Sequence, residues 1–318
     1  MRINVVTALA AAAVAACAKQ EAAKTDSAAP AATATPAAAS GTTAAKAGEA
    51  TGLKTPESVR YDPELDVFYV SNINGNPSQH DNNGSIAVIR ADSTGLPIRM
   101  LVEGGKNGVT LDAPKGLALS GDTLWVADIN HVRGFNRKTG AKFADIDLSS
   151  QKAQFLNDAA IGGDGAVYVT DSGLLFDANG GMTHPGTDKI FKISGGKATA
   201  ITADSLDSPN GITWDKANGR FVLGGFAAKA VQAWKPGDKM PSNVATGPGQ
   251  YDGVEVLGDG RILVSSWADS SVSVVQNGAL TKLVSGVSGP ADIGVDTKRN
   301  LVAIPLFNDG KVVFYKIP

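Results

Sequence analysis

The chain has 318 residues, 19% of them charged, with a formal net charge of -2 and a single Cys. No Lys/Arg-rich block supplies the basic footprint that nucleic-acid binding needs, so nucleic acid is excluded as a partner. The lone Cys, at position 17, leaves no disulfide within a folded domain.

The N-terminus reads as an export signal. Arg2 provides the positive start, Val5 to Val14 an apolar stretch too short to span a bilayer, and Val14-Ala15-Ala16-Cys17 its close. That tetrapeptide resembles a bacterial lipobox, which implies removal of residues 1–16 and a lipid on Cys17 as the first mature residue. The alternative is an ordinary small-residue cleavage site with an incidental Cys. Ala18 stands where an inner-membrane retention signal would have Asp, which favours anchoring in the outer membrane, facing the periplasm. Residues 17–50 are rich in Ala, Thr and Pro and carry no aromatic ring. They bury too little apolar surface to offset the entropy of ordering and are expected to form a disordered tether.

From Pro56 to Pro318 one phrase returns six times: a polar residue, a small residue, an aliphatic run, an Asp/Gly/Asn turn and a second aliphatic strand. Its first aliphatic positions are Val59, Leu117, Ala159, Ile212, Val254 and Ile293, spaced roughly 40 to 60 residues apart, the period of stacked repeats that cannot bury their faces alone. The fold class is all-β, and residues 51–318 are expected to form a six-bladed β-propeller with four strands to a blade. The long spacings place insertions at residues 74–83 and 104–107 in the first blade and 173–188 in the third, all read as loops. The sixth repeat ends after its third strand, so the missing fourth is expected from residues 46–54, closing the ring and hiding an edge.

In a propeller the innermost strands line the axis and run the same way, so the residues just before them meet at one tunnel mouth. These are Glu57, Lys115, Asn157, Asn210, Asp252 and Ala291. Glu57, Asn157, Asn210 and Asp252 thus offer two carboxylates and two amide oxygens, with no His or Cys. Such hard donors suit one divalent cation, Ca²⁺ first, with Mg²⁺, Mn²⁺ or Zn²⁺ as alternatives. The competing reading is that these residues only cap turns.

The motifs around Glu57 (PESV), Asn157 (LND), Asn210 (PNGI) and Asp252 (YDGV) resemble those of the regucalcin/gluconolactonase propellers and their paraoxonase and strictosidine-synthase-like relatives. The resemblance implies a metal held by Glu57, Asn210 and Asp252, with Asn157 on the metal or its water, and hydrolysis of a small lactone or ester. In that chemistry the cation polarises the carbonyl and Asp252 takes a proton from water. Sugar-lactone members carry an Arg two residues before the third-blade Asn. Here that place is Phe155, which points to a more apolar substrate. His131 stands where paraoxonase relatives project a catalytic His; the alternative is a loop His without a catalytic role. His80 and His184 fall in the inserted loops and read as polar loop residues rather than catalysts, with His184 a candidate substrate contact at the rim and Trp267 another at the pocket edge. The rival to the enzyme is a non-catalytic periplasmic propeller with a structural cation. The membrane is met only through the N-terminal lipid, and the chain is expected to act as a monomer.

Overall fold

Alternation along each strand sends successive side chains to opposite faces of its sheet, and here both faces are buried. In Val67–Asn72, Phe68 and Val70 pack into a cluster with Ala303, Val312 and Phe314, while Tyr69 packs with Leu117, Leu124 and Val126 on the other side. Each sheet is thus covered by its two neighbours, and each fully buried Val, Leu or Phe contributes about 1.5–3 kcal/mol. A computed structural model describes residues 43–93, 98–177, 181–201 and 204–318. The export signal, Cys17 and most of the tether lie outside the described residues.

Six four-stranded antiparallel sheets follow one another along the chain, and no α-helix occurs among the described residues. Blade 1 runs inner to outer as Pro56–Asp62, Val67–Asn72, Ser85–Arg90 and Arg99–Glu103. The other inner strands are Pro114–Ser120, Leu156–Ile161, Pro209–Asp215, Tyr251–Val256 and Gly294–Asp296. In blade 6 the outermost strand is Lys46–Thr51, hydrogen-bonded to Lys311–Lys316. The ring closes where the missing strand is expected, and Ala50 is buried in the cluster that holds Val59 and Phe314. Strand formation therefore begins in residues that composition alone assigns to the tether. A chain starting at residue 53 should melt several degrees below one starting at residue 43, and self-associate through its bare Lys311–Lys316 edge. Equal melting temperatures in calorimetry would contradict this. The third-blade insertion differs from the loop expected: Leu175–Phe176 pairs with Met182–Thr183 as a short hairpin, drawn inward by Phe176 packing on Phe155.

One irregularity recurs and positions the site. In blades 1 to 5 the register between inner and second strand shifts by a bulge, between Pro56 and Val59, Pro114 and Leu117, Leu156 and Ala159, Pro209 and Ile212, and Tyr251 and Val254. Two residues per strand leave the ladder there, and a bulge re-aims side chains. In blades 1, 3 and 5 the freed N–H of the second is taken up by a hydroxyl: Ser58 N donates to Ser71 Oγ (2.9 Å), Asp158 N to Thr170 Oγ1 (2.9 Å) and Gly253 N to Ser265 Oγ (2.8 Å). Glycine at that place lets inner strands touch. A Cβ on Gly211 would come within 2.2 Å of Asp252 O, and one on Gly253 within 2.3 Å of Ile293 N.

Candidate active site and cation-binding centre

The first residue of each bulge is Glu57, Lys115, Asn157, Asn210 or Asp252, and all five line one cavity of about 380 Å³ at the tunnel mouth. Each of the four predicted ligands buries a side-chain oxygen with no hydrogen-bond partner: Glu57 Oε2, Asn157 Oδ1, Asn210 Oδ1 and Asp252 Oδ1. These residues are only 3 to 5% exposed. An unpaired buried polar atom costs about 1–3 kcal/mol, more when charged, so four oxygens converging at one mouth are suited to share a bound cation.

The other polar side-chain atoms of Asn157 and Asp252 are held. Asn157 Nδ2 donates to Ser172 Oγ (3.1 Å), which itself donates to Pro209 O (2.7 Å), leaving the amide oxygen as the free end. Trp267 Nε1 donates to Asp252 Oδ2 (2.8 Å), leaving Oδ1. Among the described residues no three His, Cys, Asp or Glu side chains gather as a metal cluster. The donors here are two carboxylates and two amides, a hard all-oxygen set that fits a Ca²⁺-like cation. Ser172→Ala should weaken cation affinity about 10-fold by freeing the Asn157 amide to turn; unchanged affinity in a calorimetric titration would sink that role for Ser172.

Charge at the mouth is unbalanced. Burial, then Asp252 and Asp292, push the Glu57 carboxyl well above its usual range. Burial and Asp292 do the same to Asp252, against the Trp267 bond. One level down the tunnel, Asp292 accepts from Ser58 Oγ (2.5 Å), and burial lifts it to about 7 against the pull of Arg60. The Arg60 guanidinium bonds Glu255 and Leu117 O and lies 3.8 Å from Asp292, so this lower layer has its own cation, although Asp292 Oδ1 has no hydrogen-bond partner. Lys115, 1% exposed, donates to Ala113 O (3.1 Å) and sits 4.4 Å from the Phe155 ring centroid. Burial lowers it to about 8, with Glu57 opposing the shift.

The remaining wall is apolar. Phe155 packs on Phe176 with centroids 5.2 Å apart, and Trp267 lies between Phe226 (5.9 Å) and Phe307 (5.4 Å). Ile73, Pro77, Leu174 and Met182 complete the wall. Phe155 is fixed from behind, its N–H donating to Asp171 Oδ1 (2.9 Å), a turn-capping use of Asp171.

Phe155 and Trp267 are thus brought to the predicted ligands, whereas two histidines are not. His131 opens the third strand of blade 2, with Nδ1 2.8 Å from Asp145 Oδ1 on the outer strand, and is not among the lining residues. His184 Nε2 lies 2.6 Å from Asp188 Oδ1, also off the cavity wall. His80 is held by Asp112 (3.0 Å). The repeat places Lys115 at the mouth without giving it a role, and it leaves Ser172 unmarked. A Ser or Thr in the second strand, at Ser71, Thr170 and Ser265, accompanies the bulge in blades 1, 3 and 5, whereas blades 2 and 4 have Ala127 and Gly224 there and carry no such signal.

The sequence matches the SMP-30/Gluconolactonase/LRE-like region over residues 55–292. The chain belongs to that family. Among solved structures, this SMP-30/gluconolactonase-like chain is similar to a protein provisionally named a gluconolactonase, at 16% identity and a TM-score of 0.64, covering 87% of this chain and 92% of that one. A gluconolactonase of Xanthomonas campestris aligns at 16% identity and a TM-score of 0.60, with 85% and 87% of the two chains covered. A streptogramin B lyase aligns at 13% identity and a TM-score of 0.58, with 85% and 97% covered. At these identities the likeness is one of fold. No curated protein sequence matches the chain.

Proposed function

We propose that this chain is a divalent-cation-dependent hydrolase of an apolar lactone or related carboxylic ester, tethered to a bacterial envelope membrane by a lipid on Cys17. The observation that carries the reading is the convergence of four partnerless oxygens, on Glu57, Asn157, Asn210 and Asp252, beside a cavity of about 380 Å³, in a chain of the SMP-30/gluconolactonase/LRE-like family. Those four residues would hold the cation, and a cation held there supplies Lewis acidity toward a carbonyl oxygen.

Asp252 serves as ligand and as proton acceptor. Burial and Asp292 make it a stronger base than a solvated carboxylate, and the Trp267 bond fixes its plane. Phe155, Phe176, Phe226 and Phe307 line the cavity and favour an aryl or alkyl substituent. An aldonolactone would leave several hydroxyls unpaired against those rings, at about 1–3 kcal/mol each. The rings border open volume rather than fill it, which supports a substrate-binding role over that of a scaffold with a structural cation.

The test is a hydrolysis screen over phenyl- and alkyl-substituted lactones, gluconolactone and aryl esters, with Ca²⁺, Mn²⁺ or Zn²⁺ present. Apolar lactones should be cleaved and gluconolactone poorly. If nothing is cleaved faster than by the double variant Glu57→Gln, Asp252→Ala, the hydrolase reading is dropped. The anchor has its own test: Cys17→Ser should move the protein from the membrane fraction to the soluble one, and unchanged membrane retention would contradict lipidation.

A further inference from the structure

Buried cations in this propeller are not all treated alike. Arg133 is bonded to Asp128 (2.6 Å) and Arg137 to Asp62 (2.6 Å). Lys115, buried as deeply, has no carboxylate within 4.0 Å among the described residues. Taking an ammonium out of water costs several kcal/mol unless a charge or hydrogen-bond acceptors replace the hydration. Of its three N–H groups, one reaches Ala113 O at 3.1 Å. The Phe155 ring face offers a second, weaker contact at 4.4 Å. Lys115 lines the same cavity as Glu57, Asn157 and Asp252, at the one bulge position of the mouth occupied by a cationic side chain.

We propose that Lys115 is an anion subsite of this cavity, binding the carboxylate of an apolar hydroxy-acid product and the lactone carbonyl oxygen that becomes part of it. It rests on the hydrolase reading for the identity of that carboxylate. The ligand class follows from the wall: an aryl or alkyl body against Phe155 and Phe176, carrying one anionic oxygen toward the ammonium. The carboxylate supplies the direct ion-pair contact that Glu57, which acts on Lys115 only from beyond 4.0 Å, does not make.

The probes are 4-phenylbutyrate and the uncharged 4-phenylbutanol, titrated calorimetrically into wild type, Lys115→Met and Lys115→Arg in Ca²⁺-containing buffer, with melting temperatures recorded beside them. Wild type is expected to prefer the carboxylate. Lys115→Met should lose at least 10-fold in affinity for it while binding the alcohol unchanged, and Lys115→Arg should keep the preference. A purely structural lysine would lower the melting temperature and weaken both ligands alike, which overturns the proposal. So does a wild type without preference, or a Lys115→Met that keeps it. If Lys115→Met does not fold, the wild-type preference and its retention in Lys115→Arg decide. No turnover is needed, so selective loss with a failed lactone screen leaves the subsite standing and the hydrolase reading fallen. Cleaved lactones with unchanged carboxylate binding give the reverse.

Discussion

Asp252→Asn is expected to cut lactone hydrolysis by about 10³-fold or more while leaving the propeller folded, because on the proposed mechanism it removes a cation ligand and the proton acceptor in one step. The shape is kept, but the amide must either turn its NH₂ toward Trp267 Nε1, itself a donor, or turn it toward the cation. Stability should hold or rise, since a buried carboxylate with one partnerless oxygen is replaced by a neutral group. Steady-state kcat/KM with parallel thermal melts tests both halves. Activity within 10-fold of wild type would remove Asp252 from the chemistry.

Chelator-treated protein should lose stability as the pH rises above the ordinary carboxylate range, and added Ca²⁺ should reverse the loss. Glu57, Asp252, Asp158 and Asp292 all have raised pKa values in the folded state. Between their unfolded values, near 4, and the raised folded values, the native state binds more protons than the unfolded chain. Its stability therefore falls as pH rises through that window, each such group contributing a slope of about 1.4 kcal/mol per pH unit. Asp292, at about 7, extends the window to neutrality. Lys115 is charged in both states below about 8 and adds no slope there. Melting temperatures of the chelated protein from about pH 4 to 8 are the measurement. A flat or rising profile contradicts the picture of mutually repelling carboxylates, and so does a fall that Ca²⁺ leaves untouched.

Glu57, Asn157, Asn210 and Asp252 were legible because the repeat sets register: residues at equal places in equivalent strands meet at one end of the axis. What the repeat does not encode is why they face inward, which is the bulge shared by the five inner strands. The closing strand was legible by counting, since a blade short of one strand must take it from the other end of the chain. His131 was harder because its partner, Asp145, lies across the hairpin on the outer strand, where strand pairing and not local sequence decides the contact. Lys115 was visible as a position but silent as a function. That its ammonium lacks a carboxylate, unlike the guanidinium groups of Arg133 and Arg137, is a property of the packed blades. The short hairpin at Leu175–Phe176 escaped because its pairing with Met182–Thr183 and the contact of Phe176 with Phe155 are tertiary features that local composition does not display.

The most direct measurement is the stoichiometry and affinity of divalent-cation binding, by titration of chelator-stripped protein with Ca²⁺ and with Mn²⁺. Four oxygens from Glu57, Asn157, Asn210 and Asp252 predict one tight site per chain, with affinity falling at least about 100-fold in Glu57→Gln and in Asn210→Ala. A chain that binds no cation, or binds one equally well in both variants, contradicts the assignment of the tunnel mouth as a metal centre.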